Sequence, residues 1–329
     1  MSISEIAKHL KVSKSTVSLV INGKAEKSRI SKALTQRILE YIEEIGYKPN
    51  ALAKSLATGK SRTIGLIVEN IGDSYFGPIA LYIEEYLRKY EYQVLYSSTM
   101  GDNKLAAEIV QTMLDKHVDG IILSPTDGIQ EEVQRIIKGG TPIVLFDRKI
   151  PGIDTNFVGT NNYEASSAAI QHLLEQGYSN IGMVTIDSQQ PQMQDRLRAY
   201  QTVLEQWGYK PQVCLTTFRE KKDYGWKEIL EWLENNPQLD ALYFSTNYLC
   251  VMGIKAIQNL KRDPKLAVIA FDDHEIFELL QPQISCIRQP LEKIAKSIVH
   301  ILLDQLKDKN KAIVEDIIAS ELQIRKSSL

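Results

Sequence analysis

The feature that most restricts the fold of this chain is an alternation of short, wholly apolar runs with amphipathic helical segments between Thr63 and Phe271. TIGLIV at 63–68 opens it, followed by helix 78–90, strand 93–96, helix 104–115, strand 119–123, helix 129–138 and strand 142–146. The pattern then restarts with helix 164–176, strand NIGMVTI at 180–186, helix 195–207, a strand near 213–217, helix 224–235, strand 241–244, helix 249–260 and strand 267–271. Strands that are apolar on both faces need cover on both faces, so these segments predict parallel sheets between layers of helix. Ile64-Gly65-Leu66-Ile67-Val68 echoes Ile181-Gly182-Met183-Val184-Thr185, which predicts two similar doubly wound halves. Two such lobes leave a cleft at the carboxyl ends of their strands, where open α/β sheets bind ligands.

The first 60 residues follow a different pattern. Ser4–Gly23, SEIAKHLKVSKSTVSLVING, reads as two short helices around a tight turn. Ile6, Ala7 and Leu10 share one apolar face, and Val17, Val20 and Ile21 share another. Ser13 is placed to N-cap the second helix, because a serine oxygen there accepts a free backbone N–H of the first turn. Lys14, Ser15, Ser18, Leu19 and Asn22 are left on the outer side, a small, polar and cationic surface that suits the major groove of DNA. A plain helical hairpin carries the same pattern. After the basic loop Lys24–Arg29, Ser31 caps a third helix with the stripe Leu34, Ile38, Ile42 and Ile45, and Gly46 stops it. Pro49 bars continuation. Asn50–Leu56 is a run of good helix formers too short to be stable alone, and Thr58–Ser61 reads as a linker. An apolar Leu56 at the end of a basic segment suits a wedge between base steps; an ordinary interdomain linker is the alternative.

Charge agrees with a division of labour. Residues 1–60 hold 11 Lys and Arg against 5 Asp and Glu, whereas the rest of the chain holds 28 against 36. A basic head on an acidic body points to a nucleic-acid-binding module carried by a domain with another task. Cys214, Cys250 and Cys286 are far apart and odd in number, so they read as reduced core residues. The five histidines are scattered, so no metal and no cofactor is expected. No export signal and no run of roughly 18 apolar residues occurs, so a cytoplasmic protein without a membrane span is expected. No GxGxxG follows Thr63–Val68, no GxxxxGK[ST] occurs, and no nucleophile–base pair stands out, which argues against an enzyme and for no catalytic residues. A solute-binding protein would lack the basic head.

Several stretches together carry a family. V-S-K-S-T-V-S at 12–18, N-G at 22–23, G-Y-K-P-N at 46–50, A-K-S-L at 53–56 and T-I-G-L-I-V at 63–68 resemble the lac-repressor (LacI/GalR) family of bacterial transcription regulators. So do F-D-R at 146–148, D-R-x-x-A-Y at 195–200, F-D-D at 271–273 and Gln289-Pro290. The resemblance runs essentially end to end. It implies a helix-turn-helix head over 1–49, a hinge helix and linker over 50–62, and a periplasmic-binding-protein-like core over 63–329. Within that core an N-lobe would take 63–161 and 290–318, and a C-lobe 162–289.

The resemblance also implies a homodimer on a palindromic operator, with paired hinge helices in the minor groove and a small effector between the lobes, often a sugar or nucleobase in the family and here expected to be a sugar or sugar derivative. Lys14, Ser15 and Leu19 would read bases, while Thr16, Ser18, Asn22 and Arg29 position phosphates. Ser13, and from the hinge Asn50, Lys54 and Leu56, would also belong to the DNA-binding set, with Leu56 at the family's minor-groove leucine position. Asp147, Arg196, Asn247 and Asp272 match positions that line the effector cleft, and Arg148 follows Asp147 there. Tyr75 and Phe76 would offer a stacking face or else belong to the core. Asp147 and Arg196 would face the ligand or pair only with each other. Two departures stand out. Lys11 occupies a turn position where the family often has glycine, and Leu19 replaces a common arginine, so no known operator sequence transfers. Whether the effector induces or corepresses stays open.

Overall fold

The computed structural model describes residues 2–47, 59–216, 225–260 and 266–329. The chain divides into two units, 1–61 and 62–329. Asn50, Lys54 and Leu56, with the whole of the expected hinge helix over 50–56, lie outside the described residues.

In the first unit, α1 (Ile3–Leu10), α2 (Lys14–Ile21) and α3 (Lys32–Glu44) pack around Ile6, Ala7, Leu10, Val17, Val20, Ala25 and Ile38. The first helix begins ahead of the sequence-based start, because Ser2 and Glu5 form a capping box. The Ser2 N–H donates to Glu5 Oε2 at 2.6 Å and the Glu5 N–H to Ser2 Oγ at 3.3 Å. Ser13 and Ser31 cap α2 and α3 as their positions predict, accepting from the N–H of Thr16 at 3.0 Å and of Leu34 at 3.3 Å. Lys11 ends α1 in the left-handed region at φ 54°, a conformation that costs a side-chain-bearing residue about 1 kcal/mol.

The second unit holds two sheets of the same design. The first lobe carries β1 (Thr63–Val68), α4 (Phe76–Arg88), β2 (Gln93–Ser98), α5 (Asn103–Asp115), β3 (Gly120–Leu123), α6 (Gln130–Lys138), β4 (Ile143–Phe146) and β5 (Asn156–Thr160). The chain crosses to the second lobe for α7 (Asn162–Glu175), β6 (Ile181–Ile186), α8 (Pro191–Gln206), β7 (Gln212–Thr216), α9 (Gly225–Asn235), β8 (Ala241–Phe244), α10 (Asn247–Asn259), β9 (Ala267–Phe271), α11 (Ile276–Leu279) and β10 (Ser285–Arg288). It returns for α12 (Leu291–Lys307) and β11 (Glu315–Ile318), then crosses a third time to end in β12 (Glu321–Gln323) and a 3-10 turn at 326–328.

Strand orders are β11-β5-β4-β3-β1-β2 and β12-β10-β9-β8-β6-β7, so β1 matches β6 and β4 matches β9. All pairings are parallel except β10 with β12. The echoed glycines sit at matching sites. A Cβ on Gly65 would lie 3.1 Å from the Met113 sulfur, and one on Gly182 would lie 2.5 Å from the Trp232 ring, so each lets a helix side chain close onto a central strand. The first and third crossovers are tied together, since the Ser320 N–H donates to Asn161 Oδ1 at 2.8 Å. All three cysteines are buried and unpaired. Among the described residues, no helix is long and apolar enough to cross a membrane.

Replacing Lys11 by glycine should relieve the left-handed strain and stabilise the head by about 0.5–1 kcal/mol, read as a higher midpoint for its thermal transition. An unchanged or lower midpoint would show that Lys11 bears no strain.

Candidate functional site

The matched strand ends of the two lobes enclose a cavity of about 300 Å³. Each lobe brings one aspartate held by a left-handed backbone, Asp147 after β4 at φ 69° and Asp272 after β9 at φ 68°. Aspartate tolerates this region better than most residues because its side chain is short and polar. Strain of this kind at equivalent sites in both halves aims both carboxyls at one cavity.

Each carboxyl has a buried guanidinium of its own lobe. Arg148, 6% exposed, donates from Nε to Asp147 Oδ2 at 3.0 Å and from Nη2 to Glu69 Oε2 at 2.7 Å. Burial disfavours its charge, but the two carboxylates outweigh that and raise its pKa. Arg196, 4% exposed, lies 3.8 Å from Asp272 Oδ2. Its Nε donates to Asn162 Oδ1 at 3.0 Å, its Nη1 to the Ser245 carbonyl at 2.7 Å, and its plane stacks on the Phe271 ring at 3.5 Å. No ion pair joins Asp147 to Arg196, so the reading in which they pair with each other does not hold. Adjacent residues pair more easily than residues on opposite lobes.

Gln289, at a crossover, donates to Asp272 Oδ1 at 2.6 Å. Burial is the main reason that the Asp272 pKa is pushed up to about 6, against the pull of Arg196 and Gln289. Burial likewise raises Asp73, whose carboxylate accepts from the Tyr75 N–H at 2.8 Å. Tyr75 and Phe76 are both core and cavity. They pack edge-on at 5.0 Å within the first lobe's buried cluster and also line the cleft. Asn247, at the start of α10, lines it as well. Trp226 does not; its ring lies 4.7 Å from Lys255 Nζ.

Sequence reading overlooked Glu69, Asp73, Gln192 and Glu228 as cavity residues. Glu69 had a positional signal, since it directly follows the first strand. Gln192 and Glu228 had none, being polar residues on amphipathic helices. The cavity thus gathers five carboxyls and two guanidiniums that are already engaged. Such a lining offers mainly hydrogen-bond acceptors and asks a ligand for donors.

In the head, Lys14 and Ser15 are exposed on α2, while Ser18 and Leu19 are partly covered. Ser13 Oγ contacts the hydroxyls of Ser15 at 2.7 Å and Thr16 at 2.8 Å, so capping occupies this cluster. Asn22 closes the helix by donating to the Ser18 carbonyl at 2.8 Å. Arg29 is exposed at φ 56°.

Residues 2–50 match the family model for bacterial regulatory proteins of the lacI family, and residues 64–311 match that for a periplasmic binding protein domain. The chain is 28% identical over 316 residues to the ribose operon repressor of Haemophilus influenzae, covering 94% of this chain and 93% of that one. The lac repressor dimer bound to operator and the anti-inducer ONPF shares the fold, with a TM-score of 0.86 at 19% identity over 100% of this chain and 99% of that one. So does the complex of the transcriptional regulator CelR with cellobiose, at 0.73 and 22%, over 99% of each chain.

The Asp272 pKa makes a prediction with a definite sign. Its folded value lies above the ordinary 3.8, so folding favours the protonated acid. That stabilisation is full below about pH 4 and is lost as the pH rises through 6. Above pH 6 the charged form costs the fold about 3 kcal/mol. Asp272→Asn keeps the shape and removes the charge, so its stability advantage over wild type should grow by about 1 kcal/mol between pH 5 and pH 7.5, measured by denaturant unfolding. An advantage independent of pH would refute the shift.

Proposed function

The chain belongs to the lacI family of bacterial regulatory proteins, a transcriptional regulator with a DNA-binding head and an effector-binding periplasmic-binding-protein domain, and from that premise we propose that it is a homodimeric repressor of a palindromic operator, governed by a neutral polyhydroxylated effector such as a sugar. The observation that carries this reading is the pair of aspartates, one per lobe, facing a single cavity. Carboxylates accept strongly from hydroxyl groups, and the neighbouring guanidiniums hold them in place. The aromatic edge of Tyr75 and Phe76 offers an apolar face for a ring. A cavity of about 300 Å³ is at the lower end of the usual range for a small-molecule site.

Lys14, Ser15 and Leu19 would read bases from α2, and Thr16, Ser18, Asn22 and Arg29 would hold phosphates, with Ser13 organising the helix start. Asn50, Lys54 and Leu56 would bind the operator from the hinge, with Leu56 as an apolar wedge in the minor groove. A ligand that binds one arrangement of the lobes better than the other shifts the balance between them, and through the hinge it shifts operator affinity. The sign depends on which arrangement the ligand prefers. The protein would act in the cytoplasm, where the operator is.

Selection of random duplex DNA by the full-length protein should enrich a palindrome with half-sites about one helical turn apart. Lys14→Ala should weaken binding to the selected site by about tenfold. Recovery of no sequence, or of an unpaired half-site alone, would contradict a dimeric operator reader.

A further inference from the structure

The cavity between the lobes has two chemically different ends. Asp147 and Asp272 follow β4 and β9, and Glu69 joins that end by accepting from Arg148 at 2.7 Å. Met100 instead follows β2, and Ile186 ends β6; both line the cavity. The strand orders place β2 three positions from β4, and β6 two positions from β9. At about 4.8 Å per strand, each aspartate lies roughly 10–14 Å from the apolar residue along its own sheet edge. A single pyranose ring is shorter than that span.

Three of the six methionines in the chain, Met100, Met193 and Met252, line the cavity. Met100 is 47% exposed and held in the left-handed region at φ 53°, with its N–H donating to the Glu69 carbonyl at 2.8 Å. An exposed apolar side chain on a strained backbone is unfavourable on both counts. A ligand that covers the thioether removes the first. Met252, on α10, packs at the start of α9, where a Cβ on Gly225 would lie 2.7 Å from its sulfur, so glycine leaves room for it. Met193 marks the border with the polar end, its sulfur lying 4.0 Å from Arg196 Nη1. Leu249 adds to the wall from the second lobe, and the partly exposed Glu228, in the first turn of α9, is the carboxyl that shares this end.

We propose that the effector is a sugar with an apolar substituent, a glycoside of an aryl or alkyl aglycone, whose hydroxyls meet the aspartates while the aglycone lies among Met100, Met193 and Met252. This rests on the reading of the cleft as a sugar site and narrows its ligand class. Thioethers are unbranched and polarizable, so they mould to apolar groups of different shape and make favourable contacts with aromatic rings. A second sugar ring in the same place would bring hydroxyls to a wall of thioethers and aliphatic chains, which gives them few partners.

NMR of the full-length protein, isotope-labelled at its methionine methyls, reads the apolar end directly. Benzyl alcohol, an aromatic ring without a sugar, should shift the signals of Met100, Met193 and Met252. Met113 and Met183, buried in the lobe cores, should stay in place. Phenyl glycosides of the common hexoses and pentoses are then titrated by calorimetry beside the free sugars and unsubstituted disaccharides. One phenyl glycoside should bind at least about tenfold tighter than its parent sugar, the gain from burying a ring, and should shift the same three methyls. Benzyl alcohol shifts that are absent, or spread evenly over all the methionines, would overturn the apolar end. A free sugar or disaccharide that binds as tightly as the glycosides would overturn the aglycone. Selective benzyl alcohol shifts without binding of any sugar or glycoside would overturn the sugar reading, and the glycoside with it, while the apolar end stands.

Discussion

Two guanidiniums buried at the mouth of the lobes dictate most of this molecule's geometry. A charge at 4–6% exposure costs several kcal/mol unless it is paired and hydrogen-bonded. Arg148 and Arg196 therefore have carboxyl groups beside them, Glu69 and Asp147 for Arg148 and Asp272, at the end of β9, for Arg196. The strained backbone of Asp147 and Asp272 follows from the same demand, since left-handed residues there bring the carboxyls back over the sheet edge. The cleft is polar because its walls must neutralise these cations, and the same walls are left with acceptor capacity that a donor-rich ligand can use.

The duplication of the lobes extends that logic. Matching strand orders put equivalent ends of β4 and β9 on opposite sides of one cavity, so neither lobe alone forms the site. Three crossovers join the lobes, and the Asn247–Ser74 bond adds a contact between them. A small polar event in the cleft can then change the balance between two arrangements of a large body.

Much of this was legible in the residues. Strands buried on both faces announce themselves as continuous apolar runs, and TIGLIV and NIGMVTI even carry the glycine that their packing requires. Helix caps at Ser13 and Ser31 were readable because capping is local chemistry. The short strand NFVGT at 156–160 was not read, because a mixed five-residue run carries little periodic signal. The final crossover, which sends β12 to the second sheet, was missed because strand partners are set by tertiary pairing. At the site, residue identities were visible but their partners were not. Asp147 and Arg196 invited pairing on charge alone, yet each is answered within its own lobe, and the amide of Asn247 is committed to protein groups.

The central claim is that cleft and head are coupled, and linkage gives it a direct test. With a selected operator and a sugar that raises the protein's melting temperature, sugar affinity is measured by calorimetry with and without saturating operator, and operator affinity with and without saturating sugar. Thermodynamic linkage requires the two ratios to be equal, and the account predicts a common ratio of about 5- to 150-fold, the usual range of allosteric coupling. A ratio of one in both directions would mean that head and core bind independently, and would contradict an effector-governed regulator.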